Sequence, residues 1–113
     1  METRLPAHLE VAGLIRRVQA AGGMAMVLAK GEREAGTILL VLCEKGENAR
    51  LFERMPWAQE GRIWHCSRTQ DIENKNEFEE YLQRRKAQDR DLWIVELDIA
   101  YGERFIGLTA AEG

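Results

Sequence analysis

Apolar residues recur at threes and fours at the start of this chain, in Leu5, Leu9, Ala12, Ile15, Val18 and Ala21. That spacing predicts an amphipathic helix from about Pro6 to Ala21. Pro6 suits a first-turn position, where its missing N–H removes no helical bond. Gly22-Gly23 supplies the stop, because glycine reaches the left-handed cap conformation at little cost. From Met24 to Ser67 the apolar residues come instead as short runs broken by Gly, Asn and Pro. The first strand is predicted over Met24–Lys30, where large and small residues alternate. A polar connection, Gly31–Gly36, leads to a second strand over Thr37–Cys43. A turn at Lys45-Gly46-Glu47-Asn48 precedes a third strand over Ala49–Met55, which Pro56 ends.

After a loop at Trp57–Glu60, Gly61–Ser67 reads as a fourth strand. Phe78, Tyr81 and Leu82 restore helical spacing, predicting a second helix over Glu73–Gln88. Acidic residues gather at its start, and Arg84, Arg85 and Lys86 at its end, both complementing the macrodipole. A fifth strand is predicted over Asp91–Ile99, with Trp93, Val95, Leu97 and Ile99 on one face. Gly102 then permits a tight turn into a short sixth strand at Arg104-Phe105-Ile106. The fold class is α+β: a mainly antiparallel five- or six-stranded sheet with two helices packed on one face, in the order α-β-β-β-β-α-β-β.

Residues 1–113 are expected to form one domain, with no repeat, linker or low-complexity tract. The 45% apolar and 31% charged content is that of a folded soluble protein. A net charge of −3 offers no whole-molecule attraction to nucleic acid or anionic lipid. The longest apolar stretch, Ala20–Ala29, is interrupted by two glycines, well short of the about 20 apolar residues a membrane helix needs. The N-terminus lacks the layout of a signal peptide, so a cytoplasmic protein is expected.

Candidate chemistry is sparse, and no catalytic signature is present. His8, Cys43, His65 and Cys66 are the only histidines and cysteines available to a zinc-type site. His65 and Cys66 are neighbours on a strand and point to opposite faces, and no ligand spacing surrounds them, so neither a metal nor another cofactor is expected. Cys43 reads as a small core hydrophobe. Gly31…Gly36-Thr37 is not a phosphate loop: it lacks the lysine, and a strand rather than a helix follows. Glu96 and Asp98 share one strand face and could present paired carboxylates to a metal, but a solvent-facing strand face accounts for them at least as well. Arg16-Arg17 and Arg84-Arg85-Lys86 are the basic clusters, most simply explained as cations at helix C-termini.

The whole chain resembles a small family of uncharacterised proteins of about this length, known mainly from alphaproteobacteria. The resemblance lies in Arg4-Leu5-Pro6-Ala7-His8, Ile15-Arg16-Arg17, Gly22-Gly23, Gly31…Gly36-Thr37 and Asp89-Arg90-Asp91-Leu92-Trp93-Ile94-Val95-Glu96. It implies an intact cytoplasmic domain of unknown function and carries over no catalytic residue.

The leading functional reading is a non-enzymatic binding or assembly module. The alternative is a small metal-dependent hydrolase using Glu96 and Asp98, and the third is a nucleic-acid binder acting through the basic helix ends. Two helices on one face would leave Leu92, Ile94 and part of Ile38–Leu42 uncovered. A homodimer is therefore expected, with Leu92, Ile94, Trp57 and Trp64 as interface candidates. Neither a membrane nor nucleic acid is an expected partner; an unidentified protein partner is compatible with the reading.

Overall fold

The computed structural model describes residues 5–54 and 63–107. In chain order these form α1 (Ala7–Ala20), β1 (Met24–Ala29), β2 (Ile38–Glu44), β3 (Glu47–Arg54), β4 (Trp64–Thr69), α2 (Lys75–Gln88), β5 (Trp93–Asp98) and a 3-10 helix (Gly102–Ile106). The α+β class and the order of helices and strands are those the periodicity predicts. The sheet is mixed, with strand order β1-β5-β2-β3-β4. β2, β3 and β4 form the antiparallel meander, β1 pairs antiparallel with β5, and β5 runs parallel to β2. α2 thus carries the chain from the edge strand β4 back into the middle of the sheet.

The two helices lie on opposite faces, not on one. Along β2, Ile38, Leu40 and Leu42 pack with Val11, Leu14 and Val18 of α1 and with Trp93, Val95 and Leu97 of β5. Leu39, Val41 and Cys43 point the other way and pack with Phe78 and Leu82 of α2, and with Leu92 and Ile94. Each helix supplies one apolar stripe, and each face of the central strands supplies one apolar row. A strand apolar on both faces therefore has both covers within its own chain.

The expected sixth strand is absent: Gly102–Ile106 is a 3-10 helix. Both hydrogen-bonding edges of β5 are already taken by β1 and β2, so a strand returning beside it has no edge to join. The segment instead lies against the sheet end, where the buried Glu103 carboxylate accepts from Arg50 Nε at 2.9 Å.

Close backbone contacts set the entry of β5 between its neighbours. α1 ends in a Schellman cap, with Gly22 at φ +92° and the Gly23 N–H donating to the Val18 carbonyl at 2.9 Å. The connection after β1 then crosses the start of β5 to reach β2. Glu32 N–H donates to the Asp91 carbonyl at 2.9 Å, and Trp93 Nε1–H donates back to the Glu32 carbonyl at 2.8 Å. The same connection caps α1, because the Arg33 and Glu34 carbonyls accept the His8 and Ala7 N–H groups. These N–H groups would otherwise be orphans at a helix start that has no side-chain cap.

Candidate functional site

Glu96 and Asp98 lie on the same side of β5, as the alternation requires, but they do not form a paired site. Both oxygens of Asp98 are engaged, accepting from the Lys45 N–H at 2.7 Å and the Gly46 N–H at 3.1 Å. Lys45 and Gly46 form a two-residue hairpin turn with φ of +54° and +76°, a conformation unfavourable for lysine that Asp98 holds in place. Among the described residues, no three His, Cys, Asp or Glu side chains converge as a metal site would.

The interface candidates are redistributed. Leu92 and Ile94 are 2% and 1% exposed and sit beneath α2, the helix that the sequence pattern places on the other face. Trp64 belongs to the core on the α1 side, with the Arg54 guanidinium 4.4 Å from its ring centre. Arg54 in turn makes a two-pronged pair with Glu10 of α1, at 2.7 and 3.1 Å. Trp57 lies outside the described residues. The basic candidates also separate: exposed Arg16 and Arg17 are on α1, and Arg84, Arg85 and Lys86 are on α2 across the sheet. They cannot form one surface.

Two features stand out in their place. The first is the edge strand β1, where Met24 is 71% and Met26 57% exposed, with Val27 and Leu28 also exposed. Met26 and Met24 lie opposite Glu96 and Asp98, on the face that carries α2. The buried cluster beneath α2 takes in β2, β3 and β5 but reaches β1 only at Ala29.

The second is a polar cluster where α2 crosses β3 and β4. Arg85 Nη1 donates to Glu53 Oε2 at 3.1 Å and to the Tyr81 hydroxyl at 2.9 Å, and Ser67 Oγ donates to the same Glu53 oxygen at 2.7 Å. Burial alone would lower the Arg85 pKa, but its hydrogen bonds to Glu53 and Tyr81 outweigh that and raise it. The Arg68 guanidinium lies over the Tyr81 ring, 3.8 Å from its centre, with Arg84 at 5.8 Å and Arg85 at 5.7 Å. The helical repeat indicates only that Tyr81 and Arg85 share a side of α2. Their meeting with Glu53 and Arg68 depends on which face of the sheet α2 covers.

The cysteines are both free, Cys43 buried and Cys66 exposed. Burial, reinforced by the nearby Glu96 and Asp98 carboxylates, pushes the Cys43 thiol up to about 12. At mildly alkaline pH a disulfide reagent is therefore expected to titrate one thiol quickly, and Cys66→Ser to abolish that phase. Cys43 is expected to react only on unfolding. Two fast thiols in the folded protein would show that the α2 face opens.

The pattern of a family described as "Protein of unknown function (DUF1491)" matches residues 5–107. The chain belongs to this family. The crystal structure of a DUF1491 family protein from Caulobacter crescentus is 30% identical, with 95% of this chain and 98% of that chain covered and a TM-score of 0.76. An NMR structure of a DUF1491 family protein from the same organism is 29% identical and covers 96% and 97%, with a TM-score of 0.75. The solution structure of a protein from A. tumefaciens is 31% identical and covers 86% and 87%, with a TM-score of 0.59. No curated protein matches this chain. The segments that carried the resemblance have structural roles here: the Gly22-Gly23 cap, the connection at 31–36 and the start of β5. Among the described residues, no helix is long and apolar enough to cross a membrane.

Proposed function

We propose that this DUF1491 protein is a non-enzymatic assembly module that self-associates through the free edge of β1. The observation that supports this is the exposure of Met24, Met26, Val27 and Leu28 on an edge strand whose outer side pairs with no strand among the described residues. Exposed sheet edges are ordinarily protected by lysine, proline or a covering element. Met24–Ala29 has no charged residue and no proline, and its one irregularity is a bulge between Val27 and Ala29. Two copies pairing antiparallel about Met26 set Met24 of each opposite Leu28 of the other. No like charges meet within this segment, and the two-fold axis closes the assembly. Met26, flexible and polarizable, then packs against its symmetry mate, and Met24 against Leu28 of the other copy. A cytoplasmic setting belongs to this reading, and two unpaired cysteines suit a reducing compartment.

Sedimentation equilibrium at micromolar concentration is expected to give twice the 12.9 kDa chain mass. Met26→Lys, which brings two ammonium groups face to face at the axis, is expected to return the protein to monomer without loss of fold, since residue 26 is exposed in the single chain. A wild-type protein that stays monomeric at high micromolar concentration would overturn the proposal.

A further inference from the structure

The Tyr81 cluster has an unusual charge balance. Three guanidinium groups lie within 6 Å of one ring centre, at 3.8, 5.7 and 5.8 Å. The carboxylate bonded into the cluster is Glu53, and Arg85 and Ser67 both donate to it. Among the described residues no carboxylate stands at ion-pair distance from Arg68 or Arg84. The cluster therefore holds an excess of two positive charges on a chain whose net charge is −3. The macrodipole of α2 accounts for Arg84 and Arg85 near its C-terminus, but not for Arg68, which arrives from β4.

Their position around the ring gives these arginines a use. Arg68 lies over the Tyr81 ring at cation–π distance, which anchors its guanidinium against the aromatic face. None of the donors of Arg68 or Arg84 has a hydrogen-bond partner among the described residues. Arg85 differs: its Nη1 donates to Glu53 and to the Tyr81 hydroxyl, and so fixes the ring on which Arg68 lies.

We propose that Arg68 and Arg84, held around Tyr81 by the Arg85–Glu53 network, form a binding site for a small phosphate-bearing ligand. A phosphate monoester carries close to two negative charges at neutral pH, matching the excess, and presents three acceptor oxygens to two guanidinium forks. The ligand makes no covalent bond, and Tyr81 serves as the platform that orders Arg68. This site lies on the opposite edge of the sheet from β1, so it stands or falls separately from self-association.

The test is an NMR titration with inorganic phosphate at constant ionic strength, following the Nε–H resonances of Arg68, Arg84, Arg16 and Arg17. Saturable shifts are expected at Arg68 and Arg84 and none at Arg16 and Arg17. Arg84→Gln, a change at an exposed position, is expected to weaken binding about tenfold or more through loss of a charged hydrogen bond. Arg16→Gln is expected to leave binding unchanged. Shifts that never saturate, equal shifts at the α1 arginines, or full binding by Arg84→Gln would overturn the proposal. Tighter binding of oligodeoxythymidine than of phosphate at the same ionic strength would overturn it in favour of a nucleic-acid surface.

Discussion

Trp93→Ala is expected to lower the unfolding free energy by about 3–5 kcal/mol, a large part of the roughly 5–15 kcal/mol available to a small domain. Trp93 is packed in the α1-side cluster with Val18 and Val95, next to the partly buried Ile15. Truncation leaves a cavity in that layer. It also leaves the Glu32 carbonyl without the indole N–H that ties the 31–36 connection to β5. Trp93→Phe keeps most of the volume and loses the hydrogen bond, so it is expected to cost less. Denaturant unfolding measures both, and an unchanged midpoint for Trp93→Ala would contradict the placement of β5 in the core.

Gly31→Ala is expected to be the second most damaging simple substitution, by about 1–3 kcal/mol or more. A Cβ at residue 31 would stand 2.2 Å from the Asp91 carbonyl oxygen, and one at Gly36 would stand 2.3 Å from the same atom. The obstacle is backbone, so no rotamer change relieves it. The strand β5 would have to draw back from the connection, loosening its parallel pairing with β2 where Trp93 N–H donates to the Thr37 carbonyl. Gly46→Ala is a useful contrast: its strain comes from a φ of +76° in an open turn, with nothing near its Cβ. Thermal unfolding of the two variants is expected to place Gly31→Ala lower; the reverse order would show that the 31–36 connection has room to move.

The succession of helices and strands was legible because apolar period and breaker residues are local signals. Pro6, Gly22-Gly23 and Lys45-Gly46 mark turns or ends within a residue or two of where the chain makes them. The two apolar faces of Ile38–Cys43 were also visible, and so was the opposition of Leu92 and Ile94 to Trp93 and Val95. What local pattern does not carry is which helix covers which face. The single stripe of α2, Phe78 with Leu82, fits either side of a sheet. With α2 on the α1 side, Leu92 and Ile94 have no cover and read as interface residues; with α2 on its own face they are core.

Contacts between distant residues were hidden for the same reason. Asp98 reaches a turn 53 residues earlier in the chain, and Arg85 meets Glu53 across 32 residues. Both meetings follow only from the insertion of β5 beside β2 and the crossing of α2 over β3. The edge position of β1 belongs to this class too. Its alternating methionines read as an ordinary strand until β5, rather than β2, proves to be its one partner among the described residues.

Amide hydrogen exchange across a concentration series tests the assembly reading most directly. β1 amides not bonded to β5 face solvent in a single chain and become ladder bonds when a second β1 pairs. Protection at Met24–Val27 is expected to rise with protein concentration, while β2 and β5 stay uniformly protected. Protection of β1 that is low and independent of concentration would contradict self-association through this edge.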